Sequence, residues 1–141
     1  MLCGVDVIDK LLLLAVICCC GAISYFDIKQ RSFPALWLVM LAIIGGIWCV
    51  KQEFIPAALI PIGVVMALLA AVNRYWKEVI GNGDIFLFLV SGLFVPVGMV
   101  DLFMIFCGGM GLVTCAVMRT TNIPFSCSIC VSIIIVLCLL A

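Results

Sequence analysis

The sequence predicts an all-α polytopic membrane protein with about six transmembrane helices, on three observations. The chain has 141 residues, 68% of them hydrophobic and 10% charged, whereas a soluble domain is about 25% charged and about half apolar. Its apolar residues fall in long runs, each near the length needed to cross a hydrocarbon layer about 30 Å thick. Charged residues collect around the breaks between those runs. A water-soluble chain of this size has too little interior to hide so much apolar surface, so the bilayer is its solvent. The length suits one membrane-embedded domain over residues 1–141, with no separate soluble domain.

The first span covers residues 7–26. Asp6, Asp9 and Lys10 stand at its head and no small-x-small cleavage site follows it, so it reads as a retained helix rather than a cleaved leader. The second covers 35–50, opened by Pro34, where a missing N–H costs little. The third covers 55–72 and begins beside Pro56, with Pro61 expected to kink it or mark a terminus. The fourth covers 85–100, with Pro96 in the same role near its end. The fifth covers 102–118 and the sixth 124–141.

The basic residues orient the bundle. Lys29 and Arg31 follow the first span, Arg74 and Lys77 the third, and Arg119 the fifth. Only Lys10 and Lys51 belong to the other side, beside Asp6, Asp9, Glu53 and Asp101. The excess of Lys and Arg marks the cytoplasmic side, which puts both termini outside. Asp27 and Asp84 then lie at the same depth, at the cytoplasmic face, on different helices.

Composition excludes a good deal of chemistry. Net charge is zero, so nothing points to nucleic acid, and there is no histidine. Nucleophile pairs that need an imidazole, most zinc-water sites and histidine-ligated haem are therefore out. Ten cysteines are present, mostly inside apolar runs (Cys18, Cys19 and Cys20 are consecutive), where a free thiol packs as a small hydrophobe. Cys127 and Cys130 form a lone CxxC with no second pair, so no metal, disulfide or cofactor is assigned.

What remains is the pair of carboxylates. An ionisable side chain at the edge of an apolar segment is costly and marks function. Taken singly, Asp84 also fits a helix N-cap and Asp27 a partner for Lys29. Glu78, with Arg74 and Lys77 close by, reads as a solvated loop residue. Asp84 ends the stretch Gly81-Asn82-Gly83-Asp84. Two glycines there let another backbone come close to the carboxylate, as a peptide substrate must. Two facing aspartates hydrolyse a peptide without metal or cofactor: one takes a proton from water while the other, protonated, donates to the carbonyl oxygen. The two share a proton and titrate as a unit, so neither is assigned acid or base at this point.

These residues resemble the type IV prepilin peptidases, membrane aspartic proteases of six spanning helices. One family aspartate follows the first helix in a stretch like D-[IL]-[RK]-x-x-x-I-P-N; here it is "DIKQRSFPA", matching at Asp27, Ile28, Lys29 and Pro34. The other lies in GxGD at the start of the fourth helix, here Gly81, Gly83 and Asp84. Gly92, eight residues on, and Ile123-Pro124-Phe125 also fit the family pattern. The departures are Phe33 and Ala35 around the proline and Phe86 where Lys or Arg is usual. The resemblance implies catalytic roles for Asp27 and Asp84, with Asn82 and Lys29 helping to position the peptide. It implies removal of a short basic leader, a class III signal peptide, from pilin-like precursors at the cytoplasmic face. It also implies the short, peptidase-only form, without the methyltransferase domain of large members. The alternatives are an inactive family member and a small cation-coupled transporter or assembly subunit.

Overall fold

In a computed structural model, described over residues 7–30, 34–53, 56–75, 81–118 and 125–140, the chain is helical throughout, with no strand among the described residues. The elements are α1 (Val7–Gln30), α2 (Ala35–Lys51), α3 (Leu59–Tyr75), α4 (Asn82–Ser91), a 3-10 turn (Val97–Met99), α5 (Val100–Met118) and α6 (Phe125–Leu140). This agrees with the all-α expectation and with six helices. By length and composition, two helical stretches suffice to cross a membrane, Val7–Gln30 and Val97–Thr114; the other apolar helices have 10–17 residues.

Prolines set several of the boundaries. Pro34 caps α2 in an extended conformation, and its carbonyl accepts the Trp37 N–H at 3.1 Å. The Pro56 carbonyl accepts the Leu59 N–H at 3.0 Å, so α3 begins four residues later than hydropathy alone suggests. Pro61 falls in the first turn of α3, where an N–H has no intrahelical partner to lose.

The fourth span departs from the expectation. The helix ends at Ser91 rather than continuing to residue 100. Gly92, Leu93 and Phe94 close tight turns back onto Leu89, Val90 and Ser91, and Pro96 caps the 3-10 turn that leads into α5. Hydropathy could not show this break because the side chains stay apolar across it. Phe94 and Val95 are fully buried, so this irregular backbone is covered by protein, the condition under which a membrane interior tolerates it.

Helix α6 holds the assembly together, packing against α1, α4 and α5, while α2 joins α1 to α4 and α3 packs on α4. Its sequence suits a central position. Ser126, Ser128 and Ser132 are buried alongside Ile129, Ile133, Val136 and Leu137. Small hydroxyl residues let helices approach closely in lipid, and the Ser132 hydroxyl returns to the Ser128 carbonyl at 2.8 Å. Tilted rings of Phe88 and Phe103, 5.5 Å apart, tie α4 to α5.

The outer surface is as apolar as the interior. Val39, Ile43 and Ile47 line one exposed stripe of α2, and Ile60, Val64 and Leu68 another on α3. Four-residue spacing puts each set on one helix face. Such stripes on most of the helices suit hydrocarbon rather than water. At one end of the bundle Lys51 of α2 pairs with Asp9 of α1. The opposite end carries the candidate site.

Candidate functional site

Three chain segments meet at that end: the last turn of α1, the first turn of α4 and the first turn of α6. Asp27 comes from α1, which runs on to Gln30, so this aspartate is helical rather than in the loop beyond the helix. Its side chain is buried, 8% exposed. On α4 the N-cap is Gly81, in an extended conformation with no side-chain cap. Asp84 is thus the third helical residue and not the cap that its position after Gly83 suggests; its N–H returns to the Gly81 carbonyl at 3.0 Å. That one-turn shift points the carboxylate back over Gly81, where an added Cβ would sit 3.4 Å from Asp84 Oδ2.

The third participant was not evident from the sequence. The Ser126 hydroxyl, fully buried, donates to Asp27 Oδ2, and the Ser126 backbone N–H reaches the Asp84 carboxylate. One residue of α6 therefore touches both aspartates. Its only sequence signal is its place after Ile123-Pro124-Phe125, of which Ile123 and Pro124 lie outside the described residues.

The electrostatics follow from this packing. Asp84 stands ahead of the apolar run of α4. Burial, and then the neighbouring Asp27 charge, push its pKa up to about 6, with the Ser126 N–H pulling the other way. Both raising causes disfavour a second negative charge in one small volume. Asp84 Oδ1 is buried and has no hydrogen-bond partner among the described residues. Polar atoms are rarely left so, and an oxygen that a substrate or water would satisfy is one reason for it.

The remaining expected residues surround the pair. Gly81, Asn82 and Gly83 are exposed, which leaves an open backbone edge beside Asp84. Lys29 is exposed and turned to Tyr25, its Nζ 3.2 Å from the phenol oxygen and 5.4 Å from the ring centre. Pro34 is exposed at the head of α2. Phe86 is 57% exposed and faces away from the buried core. Arg31, Phe33, Lys77, Glu78, Arg119 and Asp6 lie outside the described residues. Among the described residues no group of three or more Cys, Asp or Glu side chains is arranged to hold a metal ion. Cys20 and Cys130 face each other between α1 and α6, one and two turns into the bundle from the serine and the aspartate.

The described helices form a bundle with two carboxylates gathered at one end. Residues 14–139 match the type IV leader peptidase family, and the chain belongs to that family. No curated protein and no solved structure shows a match. The family is membrane-associated and its members are peptidases of leader sequences, consistent with the apolar exterior described above.

Proposed function

We propose that this chain is an aspartic endopeptidase that removes the short basic leader from type IV pilin-like precursors at the cytoplasmic membrane face. The observation that carries the reading is the meeting of Asp27 and Asp84, from helices 57 positions apart in sequence, close enough that one charge raises the pKa of the other. An isolated cap or a lysine partner would not need that arrangement.

In this reading the pair holds one proton. The ionised carboxylate takes a proton from a water whose oxygen attacks the scissile carbonyl carbon, and the protonated one donates to the carbonyl oxygen. Collapse of the tetrahedral adduct breaks the C–N bond and returns the proton count of the pair to its starting value. The exposed Gly81–Gly83 edge supports docking of an extended peptide, since no side chain of the glycines stands in its way. Lys29 and Asn82 lie at the same rim and are assigned to positioning the leader.

The test is coexpression with a pilin-like precursor, with leader removal followed by gel mobility. Asp27→Asn and Asp84→Asn are each expected to lower cleavage by at least about a hundredfold, the scale of a lost general acid or base. Continued processing by either variant removes that residue from the chemistry. Loss of a cation flux, with processing absent in wild type and variants alike, would favour the transporter alternative.

A further inference from the structure

Two identical carboxylates sharing a proton have no intrinsic preference for which of them carries it; the preference comes from the donors around each. Asp27 Oδ2 receives the Ser126 hydroxyl, whereas Asp84 Oδ1 is buried without a partner among the described residues. A hydrogen bond donated to an ionised carboxylate favours the ionised form, and an oxygen without a donor suits a protonated carboxyl, which has its own hydrogen to give.

We infer that Ser126 is a positioning residue that sorts the pair into base and acid: its hydroxyl keeps Asp27 ionised to accept the proton of the attacking water, and leaves the shared proton on Asp84 to be donated to the scissile carbonyl oxygen. The raised pKa of Asp84 agrees with this order. Its contact with the Ser126 N–H opposes it, but is the smallest of the three causes acting there. Helix α3, which packs on α4, carries Arg74 and Tyr75 in its last turn, both exposed. Helix α6 carries no charged residue, its titratable side chains being Cys127, Cys130 and Cys138. Helix α2 has only Lys51, at the opposite end against Asp9, and α4 brings Asp84 alone. On α1 itself, Tyr25 and Lys29 are exposed and turned to each other.

The step balances. Asp27 gains the water proton as the oxygen bonds to carbon, and Asp84 gives its proton to the carbonyl oxygen. On collapse, Asp27 protonates the departing amine while Asp84 recovers a proton from the adduct's hydroxyl. The pair ends as it began.

This inference rests on the peptidase reading and fails separately from it. The alkaline limb of the pH profile is loss of the shared proton from Asp84, whereas the Ser126 hydroxyl touches Asp27. Removing the Ser126 hydroxyl should therefore move only the acidic limb. The measurement is kcat and KM against pH for the purified full chain in detergent, with a synthetic peptide bearing a basic leader and an apolar segment as substrate. Ser126→Ala is expected to lower kcat about tenfold to a hundredfold with little change in KM, and to raise the acidic limb by about 1 pH unit, the loss of one hydrogen bond to a charged group. Ser126→Thr, which keeps the hydroxyl, should restore both. If alanine disturbs folding, Ser126→Cys supplies a weak donor of similar size and should show the same acidic shift. An acidic limb at the wild-type position in both Ser126→Ala and Ser126→Cys, or movement of the alkaline limb instead, overturns the role of Ser126 while inactive Asp27→Asn and Asp84→Asn leave the peptidase reading standing. Cleavage persisting in those aspartate variants overturns the pair itself.

Discussion

Asp84 keeps its proton over a pH range in which an ordinary aspartate has lost it, and this sets stability against activity at one residue. Its pKa rises from 3.8 in the unfolded chain to about 6 in the fold. Between those values the folded state binds more protons, so stability falls as pH rises from about 4 to about 6 and stays at the lower level above. Asp84→Asn, an amide of the same shape that does not ionise, should therefore raise the thermal midpoint in detergent at pH 7–8. The gain should vanish near pH 4; an equal gain at both pH values would show that ionisation is not its origin. Wild-type cleavage should decline on the alkaline side with an apparent pKa near 6, as the shared proton is lost. The two aspartates were legible in the sequence because ionised groups beside apolar runs are costly and two glycines flank one of them. Ser126 was not. It is one of three serines in the first eight residues of α6, and only the closing of α6 onto α1 and α4 distinguishes it from Ser128 and Ser132.

At the scale of the elements, α4 is held in place by two close approaches that only glycine permits. A Cβ on Gly45 of α2 would lie 2.8 Å from Leu93 Cβ and 3.1 Å from the Phe94 ring, and one on Gly92 would lie 2.8 Å from Leu59 and 3.2 Å from the Leu89 carbonyl oxygen. The sulfur of Cys49, one turn after Gly45, is 3.0 Å from the Leu93 carbonyl and adds a link at the same crossing. Gly46, the next residue, meets nothing within 4 Å. Gly45→Ala is thus expected to destabilise the bundle by about 1–3 kcal/mol, the scale of overpacking, and to lower cleavage by shifting α4 and its Asp84. Gly46→Ala should stay within about 0.5 kcal/mol of wild type. Thermal unfolding of the two variants in one detergent makes the comparison; equal behaviour would mean that the α2–α4 crossing is looser than described. The helices themselves were legible from apolar runs and prolines. The end of α4 at Ser91 was not, because hydropathy reports burial in lipid or protein and is silent on whether the backbone is helical. Gly92 and Pro96 were the available signs, and a glycine and a proline inside an apolar run also fit a kinked helix.

Among the described residues the charges lie at the two ends of the bundle with apolar side chains between them, and the candidate site belongs to the end reached by the last turns of α1 and α3 and the first turns of α4 and α6. Lys29 and Arg74 stand in those last turns, whereas the other end joins Lys51 to Asp9 and carries Asp101 in the first turn of α5. In the proposed orientation the Lys and Arg count, the quantity that governs insertion, comes from the sequence: Lys29, Arg31, Arg74, Lys77 and Arg119 on the side of the aspartates against Lys10 and Lys51. Which helices are neighbours was not legible from the sequence: nothing in the six apolar runs marks α6 as the one that touches α1, α4 and α5. The orientation rests instead on a few long side chains, which makes it sensitive to small changes. Reporter domains that fluoresce only in the cytoplasm, fused after Gln30, after Tyr75 and after Lys51, should be active at the first two positions and silent at the third. Changing Lys29 and Arg74 to Gln while adding two Lys beside Gln52 should reverse a measurable share of the molecules and lower precursor cleavage in proportion, because a reversed site faces away from a leader held in the cytoplasm. Activity of the Lys51 fusion with silence of the other two in the unaltered chain would put Asp27 and Asp84 on the outer face, and a cytoplasmic leader could then not be their substrate.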